Sequence, residues 1–400
     1  YRKGELNLKF VDKDGKPIKG VSVKYSQISH QFLFGIYDDY NTLRTGKLKN
    51  GGINYVTLHL NQNLTEPERG NIRFDAVNSI WHPDILANLD FTLHGHALIY
   101  MTKEMTPSYI LSADFQKYRE FSRDHIKALV EKYNDKIKYW NIINEPTSKW
   151  ANVNNYSISQ IIELIKDGIT EIREVDNVDN NEKIIINHHN PAGEGHYYSP
   201  FKFTKELEKQ NVDYDIIGLQ FYYNGYSEMA EYKPPLKSIY EMSKIIDEYA
   251  KYKKDIHITE LSVPSEKVPI AKFVGYNKTL WSEELQAEYL NNCYTIFFSK
   301  KNVKSITWWD GDDNGSFIYK GGLFTTDFKP KKSFYALRYL IKKLWTTNGS
   351  GYADKQGSFS IKGFGGDYLL TIKDPNTKII YVKKYNLREQ ESRTEEVILE

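Results

Sequence analysis

The segment Tyr139-Trp140-Asn141-Ile142-Ile143-Asn144, followed at once by Glu145-Pro146, reads as a short buried strand that closes on an acidic residue. Moving outward in both directions, apolar runs of the same kind recur at 31–35, 55–60, 91–100, 183–187, 216–221, 255–260 and 305–310. Amphipathic stretches with helical periodicity lie between them, most plainly at 115–133, 159–175, 236–252 and 283–300. Strands that alternate with helices pair in parallel through crossovers, because a tight turn cannot reach a parallel neighbour. Eight such units make this an α/β chain and suit a (β/α)8 TIM barrel over residues 31–345 better than an open sheet. Spacing alone leaves the doubly wound arrangement open.

The ends of the chain follow a different rhythm. Glu5-Leu-Asn-Leu-Lys-Phe-Val11 alternates apolar and polar, Asp12-Lys-Asp-Gly15 supplies hairpin chemistry, and Gly20-Val-Ser-Val-Lys-Tyr25 alternates again. After a polar, glycine-containing break at 346–350, alternation returns at 358–361, 367–372 and 379–382. The expected organisation is an N-terminal β element at 1–30, the barrel at 31–345 and a C-terminal β element at 346–400. Neither terminal element can bury a core alone, so each should pack on a neighbour, and the two are candidates to pack together. No row of rings is patterned along them, which favours bracing over polysaccharide binding.

Composition narrows the function. The 400 residues carry 54 Lys+Arg against 52 Asp+Glu, so the basic excess of a nucleic-acid protein is missing and no such partner is expected. No apolar run approaches the ~18–20 residues of a membrane span. Cys293 is the sole cysteine, which rules out an internal disulfide and a thiolate metal cluster. The chain opens at Tyr1 without a charged-then-apolar leader, as a mature, trimmed or fragment sequence would.

In a barrel, function gathers where the strands end at the C-terminal face. Glu145 closes the fourth expected strand, and Glu260 closes the seventh, Ile256-His-Ile-Thr259. Two carboxyl groups at one mouth meet the needs of glycosidic cleavage: one protonates the departing oxygen, the other attacks the anomeric carbon or activates water. A glutamate after a single strand is often only a cap or a surface residue. Two of them, on strands nearly opposite around the ring and with Asn144 beside one, are poorly explained that way.

These residues also carry a resemblance. Trp140-Asn-Ile-Ile-Asn-Glu145 resembles the acid/base strand of the glycoside hydrolases built on (β/α)8 barrels, most closely family 10, the endo-β-1,4-xylanases. Ile258-Thr-Glu-Leu261 is similar to that family's nucleophile strand. Thr65-Glu-Pro-Glu-Arg-Gly70 with Phe74, Gly95-His-Ala-Leu-Ile99 with Pro107 and Tyr109, and Ile217-Gly-Leu-Gln220 follow the family's order. So do Trp309 with Asp313 and Ser316-Phe317, and Gly322-Leu-Phe with Asp327 and Lys329-Pro330. The resemblance implies retaining, endo-acting hydrolysis of a β-linked polysaccharide, β-1,4-xylan first, without a cofactor. It implies Glu145 as general acid/base and Glu260 as nucleophile, with substrate contacts drawn from Asn144, His96, Gln220, Tyr222, Trp309, Trp308, Asn61 and His59. A secreted monomer is expected for such a substrate.

Departures from the family point to a rebuilt grip on the sugar. Thr57-Leu58 and Asn61 stand where the family has a Glu-Asn pair and a Lys; Tyr100-Met101 replaces Trp-His, Tyr222 a His, and Asn141 an Asp. A Tyr hydroxyl can donate to a carboxylate and stays neutral, so chemistry could survive at position 222. Hydrolysis of another β-glycan such as glucan or mannan, and a catalytically silent glycan-binding or inhibitor barrel, stay open as alternatives. His59, His94, His96, His188 and His189 read as hydrogen-bonded barrel residues, and no metal is expected. Asp310-Gly-Asp-Asp-Asn-Gly315 lacks the twelfth-position Glu of a calcium loop and reads as a turn. Trp81, Trp150, Trp281, Tyr223 and Tyr226 each read equally well as core or as cleft residues.

Overall fold

The computed structural model describes residues 1–38, 40–175, 182–191, 195–222, 238–267 and 280–399. Its strands, in chain order, begin with β1 (Lys3–Val11), β2 (Ser22–Gln27), β3 (Leu33–Tyr37), β4 (Tyr55–His59) and β5 (Thr92–His96). Next come β6 (Ile137–Asn144), β7 (Lys183–His188), β8 (Ile216–Gln220), β9 (Asp255–Leu261) and β10 (Val303–Trp308). The last five are β11 (Asn348–Tyr352), β12 (Ser358–Phe364), β13 (Gly366–Lys373), β14 (Ile380–Leu387) and β15 (Ser392–Ile398). The chain divides into two compact units, one of residues 34–337 and one of residues 1–33 with 338–400.

In the larger unit the strands close in the order β10-β3-β4-β5-β6-β7-β8-β9, and closure onto β3 removes the open-sheet alternative. These eight strands are the eight apolar runs of the sequence. They read as continuous runs because a parallel strand under helices is buried on both faces; every residue of β8 is buried. The helix Phe115–Tyr133 is capped by the Asp114 side chain, which accepts the Lys117 N–H at 2.9 Å. Its buried stripe, Tyr118, Ser122, His125, Ile126, Leu129, Val130 and Tyr133, repeats at helical spacing against the barrel. β5 is shorter than expected. Past His96 the amides of Leu98 and Ile99 turn to the carbonyls of Asn141 and Ile142, at 2.9 and 3.1 Å.

The smaller unit joins both ends of the chain around one core of Leu6, Leu8, Phe10, Val23, Ile361, Tyr368, Leu370 and their neighbours. The Asp12–Gly15 turn forms, with Gly15 donating to the Asp12 carbonyl at 3.0 Å, but β1 and β2 are not hairpin partners. β1 lies between β12 and β15, whereas β2 lies between β11 and β13 in a second sheet that ends with β14. Two sheets sharing a core bury one face of each strand, which a lone hairpin cannot do. The break expected at 346–350 is instead the start of β11. Its glycines make room for rings, since a Cβ on Gly349 would stand 2.4 Å from the Tyr25 hydroxyl oxygen and one on Gly351 2.7 Å from Phe359.

Candidate active site

β6 ends at Asn144, and the chain turns at Glu145 with φ of +53°, in the left-handed region. A residue with a Cβ is strained there by roughly 1–3 kcal/mol. The Glu145 N–H holds the turn by donating to the Asn187 carbonyl of β7 at 2.9 Å. β9 brings Glu260 to the same place, and both residues are buried, at 6% and 4% exposure. One nitrogen bridges them: Gln220 Nε2, at the end of β8, donates to Glu145 Oε1 at 3.2 Å and to Glu260 Oε1 at 2.9 Å.

Glu260 is the more heavily solvated by protein. Asn187 Nδ2 donates to its Oε1 at 2.8 Å and the Tyr222 hydroxyl to its Oε2 at 2.7 Å. These donors pull its carboxyl down, but burial and then the charge of Glu145 push it up to about 8. Around Glu145, the Trp150 indole N–H donates to Oε2. The Tyr100 hydroxyl is in hydrogen-bonding reach of Glu145 and Trp150, and burial together with both carboxylates raises it well above the ordinary phenol range.

A further layer fixes these groups. Asn187 Nδ2 also donates to Asn144 Oδ1 at 2.7 Å, and the Thr259 hydroxyl donates to Asn187 Oδ1. Gly218 leaves the space for that amide, since a Cβ there would stand 2.6 Å from Asn187 Oδ1. The Asn141 nitrogen belongs beside the carbonyls of Ile143 and Ile185, which turns its oxygen to His96 Nδ1 at 3.0 Å. His96 therefore donates through Nδ1, and its Nε2 lies 3.8 Å from Glu260 Oε1. Burial lowers His96 well below the usual imidazole range and His59 to about 4, so both are neutral near pH 7.

The structure thus gathers Glu145, Glu260, Asn144, Gln220, Tyr222 and His96 at one mouth. Trp309 joins them, stacked on Tyr37 at 4.4 Å and edge-on to His96 and Tyr222. His59 packs its ring on His96 at 5.1 Å. One candidate does not belong. Trp308 is fully buried with its indole N–H donating to the Gly321 carbonyl at 2.9 Å, so it has no face to offer a sugar. Asn61 is half-buried and caps the helix Gln62–Thr65, its side-chain oxygen accepting the Leu64 N–H at 3.0 Å. Tyr223 and Tyr226 lie outside the described residues.

Asn187, His189, Trp150 and Tyr100 were not singled out for this pair by the sequence; the polar run Asn187-His-His-Asn190 that closes a buried strand is the signal that could have found the first two. Among the described residues no three His, Cys, Asp or Glu converge as metal ligands. The acidic residues of 310–315 are engaged by neighbouring segments. Asp310 accepts from the Ser262 hydroxyl and the Phe317 amide, Asp312 accepts from the Thr42 hydroxyl, and Asp313 pairs with Lys331 at 2.6 Å.

Comparison with known proteins adds the context. The family described as Glycosyl hydrolase family 10 matches residues 36–339. Endo-1,4-beta-xylanase B of Neocallimastix patriciarum is 24% identical over 69% of this chain, which spans 30% of that protein's length. Endo-1,4-beta-xylanase A of Caldicellulosiruptor saccharolyticus is 25% identical over 68% of this chain and 81% of its own. The crystal structure of xylanase XynB from Paenibacillus barcinonensis superimposes with a TM-score of 0.60 at 19% identity, covering 77% of this chain and 95% of that one, a likeness of fold.

Proposed function

Since the chain belongs to glycosyl hydrolase family 10 and is therefore a glycoside hydrolase, we propose that it cleaves a β-1,4-linked xylan internally, with retention of anomeric configuration. The observation that carries retention is the shared donor. Both Oε1 atoms bond one Gln220 nitrogen, so these two oxygens lie no more than about 6 Å apart, in keeping with the close ~5–5.5 Å pairing of a retaining enzyme rather than the ~6.5–9.5 Å of an inverting one. Xylan is supported by the relatives named as endo-1,4-beta-xylanases at about a quarter identity.

In the first step the ionised form of Glu260, which Asn187, Gln220 and Tyr222 favour by donating to it, attacks the anomeric carbon. The bond to the leaving oxygen breaks as Glu145, acting as general acid, gives that oxygen a proton. In the second step Glu145 takes a proton from water, the hydroxide equivalent attacks the anomeric carbon, and the ester to Glu260 opens. Asn144, whose oxygen is engaged by Asn187, presents its amide nitrogen to the sugar 2-hydroxyl, a contact that strengthens as positive charge develops on the ring. Trp309 gives the ring an apolar wall. Cleavage of a polymeric substrate places the protein's work outside the cell, and no helix among the described residues is long and apolar enough to cross a membrane.

Proton NMR of the first products from a panel of xylan, glucan and mannan tests the proposal. It requires a β-configured xylooligosaccharide before mutarotation. An α-configured first product removes retention, and cleavage confined to another glycan removes xylan.

A further inference from the structure

We propose that His189 is the positioning residue that keeps Gln220 donating to both carboxyl groups at once; this rests on the roles given above to Glu145 and Glu260. Gln220 Oε1 lies 3.0 Å from His189 Nδ1. A carbonyl oxygen only accepts, so that imidazole nitrogen carries the hydrogen. The same nitrogen lies 3.8 Å from Glu145 Oε1, and His189 is itself buried with its ring meeting the Trp150 ring edge-on at 4.8 Å. The imidazole that the family resemblance leads one to expect at position 222 is thus absent, and one enters the site just past the end of β7 instead.

The two ends of a primary amide are alike in shape, so only their partners decide which way Gln220 faces. With His189 present, a flipped Gln220 would set its NH2 against the Nδ1–H and its oxygen against two carboxyl groups. Without it, that oxygen could accept the hydroxyl of protonated Glu145. The proton would then be held inside the protein rather than aimed at the leaving oxygen. His189 therefore acts on proton delivery through Gln220, without touching the substrate.

The test compares wild type, His189→Phe and His189→Asn on xylan and on a dinitrophenyl β-xyloside, whose leaving group departs without a proton. His189→Phe is expected to lower kcat/KM on xylan about tenfold to a hundredfold, the scale of one lost bond in a buried network, and to lower it less on the activated substrate, where proton delivery is not needed and only the Gln220 bond to Glu260 is lost. His189→Asn, which restores an N–H near the same place, should recover most of the loss. Equal loss on both substrates, no loss, or no recovery with Asn overturns the proposal. Nitrogen-15 NMR of the wild-type imidazole, independent of any variant, should show Nδ1 protonated; a bare Nδ1 also overturns it. Failure of the underlying roles would show separately, as Glu260→Gln retaining turnover of both substrates.

Discussion

Replacing Tyr222 with Phe deletes one oxygen and keeps the ring, which packs on Phe317 at 4.9 Å and edge-on to Trp309 at 6.2 Å. The lost bond is a 2.7 Å hydroxyl-to-carboxylate contact on Glu260 Oε2, of a class worth about 1.5–3 kcal/mol. At about 1.36 kcal/mol per pKa unit, that is roughly one to two units. The sign follows from which form the donor favours. Tyr222 stabilises the anion, so its removal raises Glu260 further. The nucleophile must be ionised, and the acidic limb of kcat/KM therefore moves to higher pH by roughly one to two units. Below that limb, activity should fall about 10-fold to 100-fold. The assay is kcat/KM against pH on an aryl β-xyloside, with wild type alongside. An acidic limb that stays in place, or moves to lower pH, refutes the reasoning, because the hydroxyl would then not be holding the charge of Glu260.

Glu145→Ala should abolish hydrolysis of xylan while sparing the first step on a dinitrophenyl β-xyloside, and azide should restore turnover by forming a β-xylosyl azide; an α-azide or no azide effect contradicts the acid/base role. Gly218→Ala should displace Asn187, whose Oδ1 would be 2.6 Å from the new Cβ, and lower kcat/KM about tenfold through the lost Glu260 contact. Unchanged kinetics would show that the amide has room to retreat. Glu260→Gln should raise the thermal midpoint at pH 7. The folded Glu260 carboxyl is held up at about 8 against an ordinary 4.5 when unfolded, so ionising it costs stability as pH rises through that window. At pH 4 both states are protonated and the gain should vanish; a gain of equal size at both pH values assigns it to packing instead.

The barrel was legible because its strands are buried on both faces and so stand out as unbroken apolar runs. The terminal sheets were less so. β15 turns Ser392, Thr394 and Glu396 to solvent and half-buries Arg393 and Glu395, leaving only Val397 buried along its length, and β11 is a glycine strand shaped by the rings over it. At the site, Glu145 and Glu260 could be read from strand ends, since geometry puts those ends at one mouth. Their partners could not, because Asn187, His189 and Trp150 reach the pair across neighbouring strands and a loop. The Trp308–Trp309 pair was open to a stricter reading. Successive residues of a strand face opposite ways, so only one of the two could look into the mouth.

The central claim is that Glu260 forms a bond to the sugar while Glu145 serves the leaving oxygen. Incubation with a dinitrophenyl 2-deoxy-2-fluoro-β-xylobioside, whose fluorine slows release of the intermediate, followed by mass mapping of the labelled peptide, addresses it most directly. The mass of one fluorinated disaccharide on Glu260 is the predicted result. A label on any other residue, or a fully unlabelled chain that still cleaves xylan, would contradict it.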